Sequence, residues 1–332
     1  MSRAVLIEQP GSLRITPAAP RQPGHGEAVV RVAWSGICGS DSELFAGTRA
    51  EPYVRYPVVP GHEWSGTVVE LGEGADESLL GKAVVGEGFR NCGHCDACRR
   101  GETTLCEAPY DETGFTQPGA WSNELCLPAR LLHELPEGAD LRAAALLEPA
   151  ACMAEASLKA AVVPGERVAV VGGGTLGMLV TQLLAASSPA ELVVVDPRTD
   201  RAALAERYGA RLCSPEQAPE RFDVVVEAAG APGTGALAVR LARRGGRVVL
   251  TGLAGTETTP LAPADLVASA VTVHTVFGAP SRAWSHAVRA FAAGLLDTAP
   301  LITHEFVLED AAQALSALAD PAAPTGKILL HP

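Results

Sequence analysis

The pattern of apolar positions changes about halfway along the chain. Up to about residue 160 they come in short runs broken by Gly and Pro, such as Glu27-Ala-Val-Val-Arg-Val-Ala-Trp34 and Gly66-Thr-Val-Val-Glu-Leu71. Runs of that length between turn residues predict irregular β-structure. From about Pro164 the pattern becomes regular. Arg167-Val-Ala-Val-Val171 reads as a short buried strand, Thr175 to Ala186 as a helix, Glu191-Leu-Val-Val-Val-Asp196 as a second strand and Arg201 to Tyr208 as a second helix. Strand patterns recur at Phe222–Glu227, Gly246–Leu250 and Val271–Thr275. Alternating β and α predicts a doubly wound parallel sheet covered on both faces. After Gly278 a helix and a closing segment, Leu301–Leu330, remain. The class is therefore α/β plus β, in two domains, which 332 residues can supply.

Composition narrows the functions. Apolar residues make up 47% and charged residues 19%, as in a folded globular chain. A net charge of −12 leaves no basic footprint for nucleic acid and no attraction to an anionic membrane. The opening Met-Ser-Arg-Ala-Val-Leu-Ile lacks the long apolar core of a leader, and no run is apolar enough to span a bilayer. A cytoplasmic protein without membrane partners is expected.

Four of the eight cysteines fall between Cys92 and Cys106, spaced C-x2-C-x2-C-x7-C. Such spacing is too tight to staple a large fold by disulfides. It suits four thiolates closing a tetrahedral zinc site with no open position, a structural site in a lobe of about residues 88–110. An iron–sulfur cluster is the rival, ranked lower because nothing else suggests electron transfer. His94 breaks the spacing and reads as solvated. A second constellation is dispersed: Cys38 with Ser40 and Asp41, His62 with Glu63, and Glu148 before Pro149. Each fragment alone is weak, since a lone Cys is usually a small buried hydrophobe.

Gly172-Gly-Gly-Thr-Leu-Gly177 fits G-x-G-x-x-G through Gly172, Gly174 and Gly177, between a strand and a helix. Glycines there make the tight turn, admit a pyrophosphate and let helix and strand pack closely. The helix start at Thr175 and Leu176 offers free N–H groups to phosphate. Asp196, 24 positions after Gly172 (196 − 172), suits the adenosine ribose and would repel a 2′-phosphate, so NAD is favoured over NADP. Arg198 and Arg201 nearby weaken that preference. Thr251-Gly252-Leu253 and Val276-Phe277-Gly278 end later strands, where ligands of parallel sheets sit.

Together these residues resemble the zinc-containing medium-chain dehydrogenase/reductase superfamily. The likeness runs through Gly36-Ile-Cys-Gly-Ser-Asp41, Val59-Pro-Gly-His-Glu-Trp-Ser-Gly66, the cysteine lobe, Glu148-Pro149, the glycine turn, Thr303-His-Glu-Phe306 and Gly326-Lys-Ile-Leu329. Glu148-Pro149 is similar to the polyol and sorbitol dehydrogenase branch. Tyr56–Gly66 and Thr104-Leu-Cys-Glu107 look like 2-deoxy-scyllo-inosamine dehydrogenases, which oxidise an aminocyclitol. The resemblance implies a GroES-like catalytic domain (1–147, with 278–332 returning to it) and a Rossmann domain (148–277). It also implies two zinc ions per chain, one catalytic and one structural, and a homodimer or homotetramer.

Carried over by position, Cys38, His62 and Glu148 would hold the catalytic zinc, and Glu63 would be a ligand or a close carboxylate exchanging with substrate. Ser40 would begin the proton relay and Asp41 would orient His62. Two positions depart from the family pattern: Glu43 stands where many relatives relay the proton through His, and Glu155 where His often follows the Glu-Pro pair. The expected reaction interconverts a secondary alcohol and a ketone by hydride transfer with the nicotinamide, zinc acidifying the hydroxyl. Glu87, Trp64, Phe115, His274 and Arg55 are candidates for the substrate pocket. Alternatives are a threonine-type or simple alcohol dehydrogenase on the same fold, and a catalytically silent NAD- and zinc-binding regulator.

Overall fold

The computed structural model describes residues 2–18, 21–219, 221–252, 261–320 and 326–332. The chain divides into two compact units. One comprises Met1–Glu148, Pro280–Ala292 and Asp297–Pro332; the other comprises Pro149–Ala279 and Ala293–Leu296.

In the first unit a seven-stranded sheet runs in the order Ile302–Val307, Lys327–His331, Glu27–Ile37, Trp64–Leu71, Ala83–Gly86, Leu132–Glu134, with Glu124–Pro128 also paired to Glu27–Ile37. The first two strands are parallel and the other pairings antiparallel. The central strand, Glu27–Ile37, is buried along most of its length because it has neighbours on both edges and packing on both faces. Val30, Val32, Trp64, Val84 and Leu125 fill one core; Val5, Ile37, Trp121 and Ile328 fill a second. The late strand sets Ile328 opposite Ile37 and Leu329 opposite Gly36. That register delivers Lys327 to the end of the strand that carries Cys38. The helix Ser281–Ala292 buries Ala283, Trp284, Ala287 and Ala290, one stripe at helical spacing.

The second unit is a six-stranded parallel sheet in the order Arg211–Cys213, Glu191–Val195, Arg167–Val171, Phe222–Glu227, Ala242–Leu250, Thr272–Thr275. Counted within the unit this is 3-2-1-4-5-6, the dinucleotide-binding order. Its Val-rich strands are buried on both faces, as helix-covered parallel strands must be. The strand expected from Gly246 begins four residues earlier, at Ala242, because Arg243 is paired with Asp223 at 2.5 Å and Arg247 with Glu166 at 2.5 Å. Charged residues can extend this strand because their charges are met alongside it. The helix expected from Arg201 opens with a 3-10 turn over Thr199–Arg201 and becomes α at Ala202–Arg207. Among the described residues no helix is long and apolar enough to cross a membrane.

Candidate active site and metal centres

The glycine turn joins the strand Arg167–Val171 to the helix Thr175–Ala185. Gly172 has φ +105°, and a Cβ there would run into Ala229; a Cβ on Gly177 would overlap the Gly172 carbonyl. Close packing of helix on strand thus demands glycine at both ends of the motif. Asp196 is buried, and both its oxygens are engaged. Oδ2 accepts the Gly173 N–H at 2.6 Å and Arg198 Nη2 at 2.8 Å; Oδ1 accepts the Arg198 N–H and Nε, each at 2.9 Å. Burial works against its charge, but Arg198 and the Gly173 N–H outweigh it and keep its pKa below the usual range. The sequence marked Arg198 only as a nearby charge, whereas the structure makes it a clamp on the acid. Arg201 Nε lies 3.6 Å from Asp200. Beyond the fifth strand, Thr251 donates its N–H and hydroxyl to the Glu227 carbonyl, and Gly252 N–H reaches Glu227 Oε2 at 3.2 Å. Val276 donates to the Leu250 carbonyl, Phe277 is half exposed, and Leu253 lies outside the described residues.

The four lobe cysteines bring their sulfurs within 4.8 Å of one another. Backbone N–H groups point at these sulfurs: Cys92 N–H to Cys106 Sγ at 3.3 Å, Cys95 N–H to Cys92 Sγ at 3.4 Å and Cys98 N–H to Cys95 Sγ at 3.5 Å. Such donors favour thiolates: the His94 and Cys95 N–H groups bring Cys92 down to about 6, while burial pushes Cys98 up to about 12. Four soft donors with oriented amides fit a closed zinc site. His94 turns its Nδ1 to the Cys92 carbonyl at 2.9 Å and is exposed.

Cys38, His62 and Glu63 form the second group, again with ligand atoms within 4.8 Å. Cys38 caps the helix Gly39–Ala46. Asp41, fully buried at the third helical position, accepts the Cys38 N–H through Oδ2 at 2.8 Å. Its Oδ1 faces His62 Nδ1 at 3.6 Å. At that distance the two atoms do not hydrogen-bond, and both are buried without another partner among the described residues. Glu63 is buried against Gly36, where any Cβ would collide with its carboxylate. Lys327 Nζ binds both Glu63 oxygens at 2.6 Å and also reaches the Ile37 carbonyl at 3.2 Å. Burial would lower the Lys327 pKa; Glu63 and Cys38 raise it above the ordinary value. A thiolate, an imidazole and a carboxylate with a carboxylate behind the ring fit a catalytic zinc.

Ser40 is half-buried on the same helix as Glu43, which is 53% exposed with its carboxylate 4.0 Å from Arg49. Glu148 is half-buried at the start of the helix Leu147–Ala160, outside the three-residue group but close enough to raise the pKa of Lys327 and of Glu112. The Glu155 carboxylate sits 3.3 Å from Lys159, whose Nζ also donates to the Thr275 carbonyl, so this departure from the family pattern has a salt-bridging role. Glu87 is buried and meets His133 at 3.2 Å and the Ser281 hydroxyl at 3.0 Å. Trp64 is core, and His274 lies in the outer strand of the parallel sheet. Arg55 donates its N–H to the Phe115 carbonyl, and the Phe115 ring lies 4.8 Å from His62. The sequence reading passed over Arg49, Tyr110 and Glu112, which gather beside Phe115.

Comparison with known proteins agrees with this geometry. A sequence model of the alcohol dehydrogenase GroES-like domain matches residues 24–137, and one of the zinc-binding dehydrogenases matches residues 175–293. Sorbitol dehydrogenase of Arabidopsis thaliana is 32% identical, over 89% of this chain and 85% of its own. A zinc-binding dehydrogenase of Sinorhizobium meliloti 1021, solved with NADP, aligns with a TM-score of 0.91 and 28% identity, over 100% of this chain and 99% of that one. The alcohol dehydrogenase rspB of Escherichia coli CFT073, solved with NADH, aligns with a TM-score of 0.90 and 26% identity, over 99% of each chain. The chain belongs to the zinc-containing medium-chain dehydrogenase/reductase superfamily. It is a zinc-dependent alcohol oxidoreductase that works with a nicotinamide dinucleotide.

Proposed function

We propose that the protein oxidises a secondary hydroxyl of a polyol, most sharply a cyclitol or aminocyclitol, and passes the hydride to NAD. The observation that carries this is the buried Cys38–His62–Glu63 group, oriented by Asp41 and backed by Lys327. Zinc held there supplies Lewis acidity toward the substrate oxygen, and the nicotinamide supplies the hydride acceptor. Lys327 already pairs with Glu63, so Cys38, His62 and Glu148 would hold a resting ion and Glu63 would be the carboxylate that exchanges with substrate. The Cys38 thiolate and the Glu148 carboxylate would match the charge of a divalent ion held there. Ser40 takes the hydroxyl proton, and Glu43, three residues on along the helix, hands it to solvent in place of the usual His. The relative from Arabidopsis supports a polyol, and Asp196 supports NAD over NADP. The outer strand Thr272–Thr275, preceded by a helix in which Val267 is 81% exposed, supports assembly as a homodimer or homotetramer.

Initial rates across aminocyclitols, cyclitols, polyols, threonine and simple alcohols, each with NAD and NADP, test the proposal. Activity confined to short primary alcohols would remove the polyol. For the cofactor, Asp196→Ala should weaken NADH about 10-fold and NADPH much less in fluorescence titration. Equal losses would mean that the acid serves only Arg198 and the glycine turn.

A further inference from the structure

Several buried carboxylates in this chain have both oxygens engaged. Glu227 Oε1 accepts from the Ala229 and Gly230 N–H groups and the Thr234 hydroxyl, and its Oε2 from Gly252 N–H. Glu87 uses one oxygen on His133 and the other on Ser281. Glu112, only 6% exposed, differs. Its Oε2 accepts from the Tyr110 hydroxyl and lies 3.5 Å from Arg49 Nη2, whereas Oε1 has no hydrogen-bond partner among the described residues. An oxygen without a protein partner is open to a donor from a ligand.

The setting of Glu112 points to the metal group. The Arg49 guanidinium sits 3.8 Å over the Phe115 ring, which lies 4.8 Å from the His62 ring. Arg49 is itself tied down, with Nε on the Tyr53 carbonyl at 2.9 Å and Nη2 on the Tyr110 hydroxyl at 3.1 Å. Tyr53 stacks edge-on with Tyr110 at 4.9 Å and is 40% exposed, so the wall from His62 continues to the surface. Burial raises the Glu112 pKa to about 7, with His62 and Arg49 acting against it and Glu148 and Asp41 adding to it. Perturbed acids of this kind mark functional clefts.

We infer that Glu112 determines specificity: its free Oε1 accepts a hydrogen bond from a hydroxyl or ammonium on the carbon next to the one being oxidised, with Arg49 and Tyr110 positioning it. This rests on the secondary-alcohol reading above. A desolvated carboxylate attracts a cationic donor more strongly than a neutral one. Of the two donors, the ammonium gains more.

The test compares Glu112→Gln with the wild type on cyclohexanol, trans-1,2-cyclohexanediol and trans-2-aminocyclohexanol. Zinc content and NADH fluorescence are measured on each protein to show that it is loaded and folded. Relative to cyclohexanol, kcat/KM for the amino alcohol should fall about 30-fold in the variant, and that for the diol about 5-fold because Gln keeps an acceptor oxygen. Dissociation constants of the same alcohols from the enzyme–NADH complex, read by fluorescence, give the ratios without turnover. Glu112→Asp, which withdraws the carboxylate by one methylene, serves if the Gln variant does not fold. A wild type that prefers a second donor while the variant keeps the same preference overturns the role of Glu112 and leaves the polyol reading standing. A wild type that oxidises cyclohexanol with no preference for either second group overturns both.

Discussion

The two metal-binding groups solve the same coordination problem in opposite ways. The lobe collects its four thiolates from 15 consecutive residues, Cys92 to Cys106, and surrounds them with its own amides. The other group draws Cys38 from the end of one strand, His62 and Glu63 from the approach to the next, and a counter-charge from Lys327, 264 positions away in sequence from Glu63. Local construction yields a closed shell that can only hold a fold. Long-range construction allows a donor set of mixed hardness, of the kind that catalytic zinc sites use.

The contrast can be broken most severely at Cys38. Cys38→Ser should lower kcat by at least about 1,000-fold while NADH binding, followed by fluorescence, stays close to wild type. Retained turnover would show that this group is not the catalytic centre. Cys95→Ser should act on the other side of the comparison: melting falls by on the order of 10 °C, while kcat at 25 °C changes far less. Unchanged melting would refute a structural role for the lobe. The smallest effect is expected at Lys327. Lys327→Met leaves Glu63 buried without its partner and should cost on the order of 3 kcal/mol in denaturant unfolding. If Glu63 is the exchanging ligand, the variant also holds zinc more tightly against chelator while kcat falls. Faster zinc loss would show instead that Lys327 merely supports the site.

What could be foreseen from the sequence follows the same division. The cysteine lobe and the glycine turn were visible because their geometry is written in short spacings, and the parallel sheet because each Val-rich strand is buried on both faces. Asp41 and His62 could be paired only through family likeness; the 3.6 Å approach of Oδ1 to Nδ1 comes from folding residues 38–41 against residue 62. The ion pair of Lys327 with Glu63 had no local signal, since it depends on a strand register set between residues 36 and 329. Arg198 was noticed as a charge but not as a bidentate clamp, because an i,i+2 pair says nothing until the backbone turns. Glu87 is a candidate for the pocket by sequence, and its neighbours His133 and Ser281, supplied by distant segments, have no local signal. Arg49, Tyr110 and Glu112 were passed over for the same reason: each is an ordinary residue until the turn Glu112–Gln117 sets Phe115 beside His62.

The pairing of Lys327–His331 with Glu27–Ile37 also bears on how the protein is made. On the ribosome, the strand that carries the cysteine thiolate emerges some 290 residues before the strand that borders it. Until then the edge of Ser35–Ile37 stands open and Glu63 has no cation to face. The nascent chain must therefore either keep that edge from other strands or wait, with its metal pocket unfinished, for the last segment to close it.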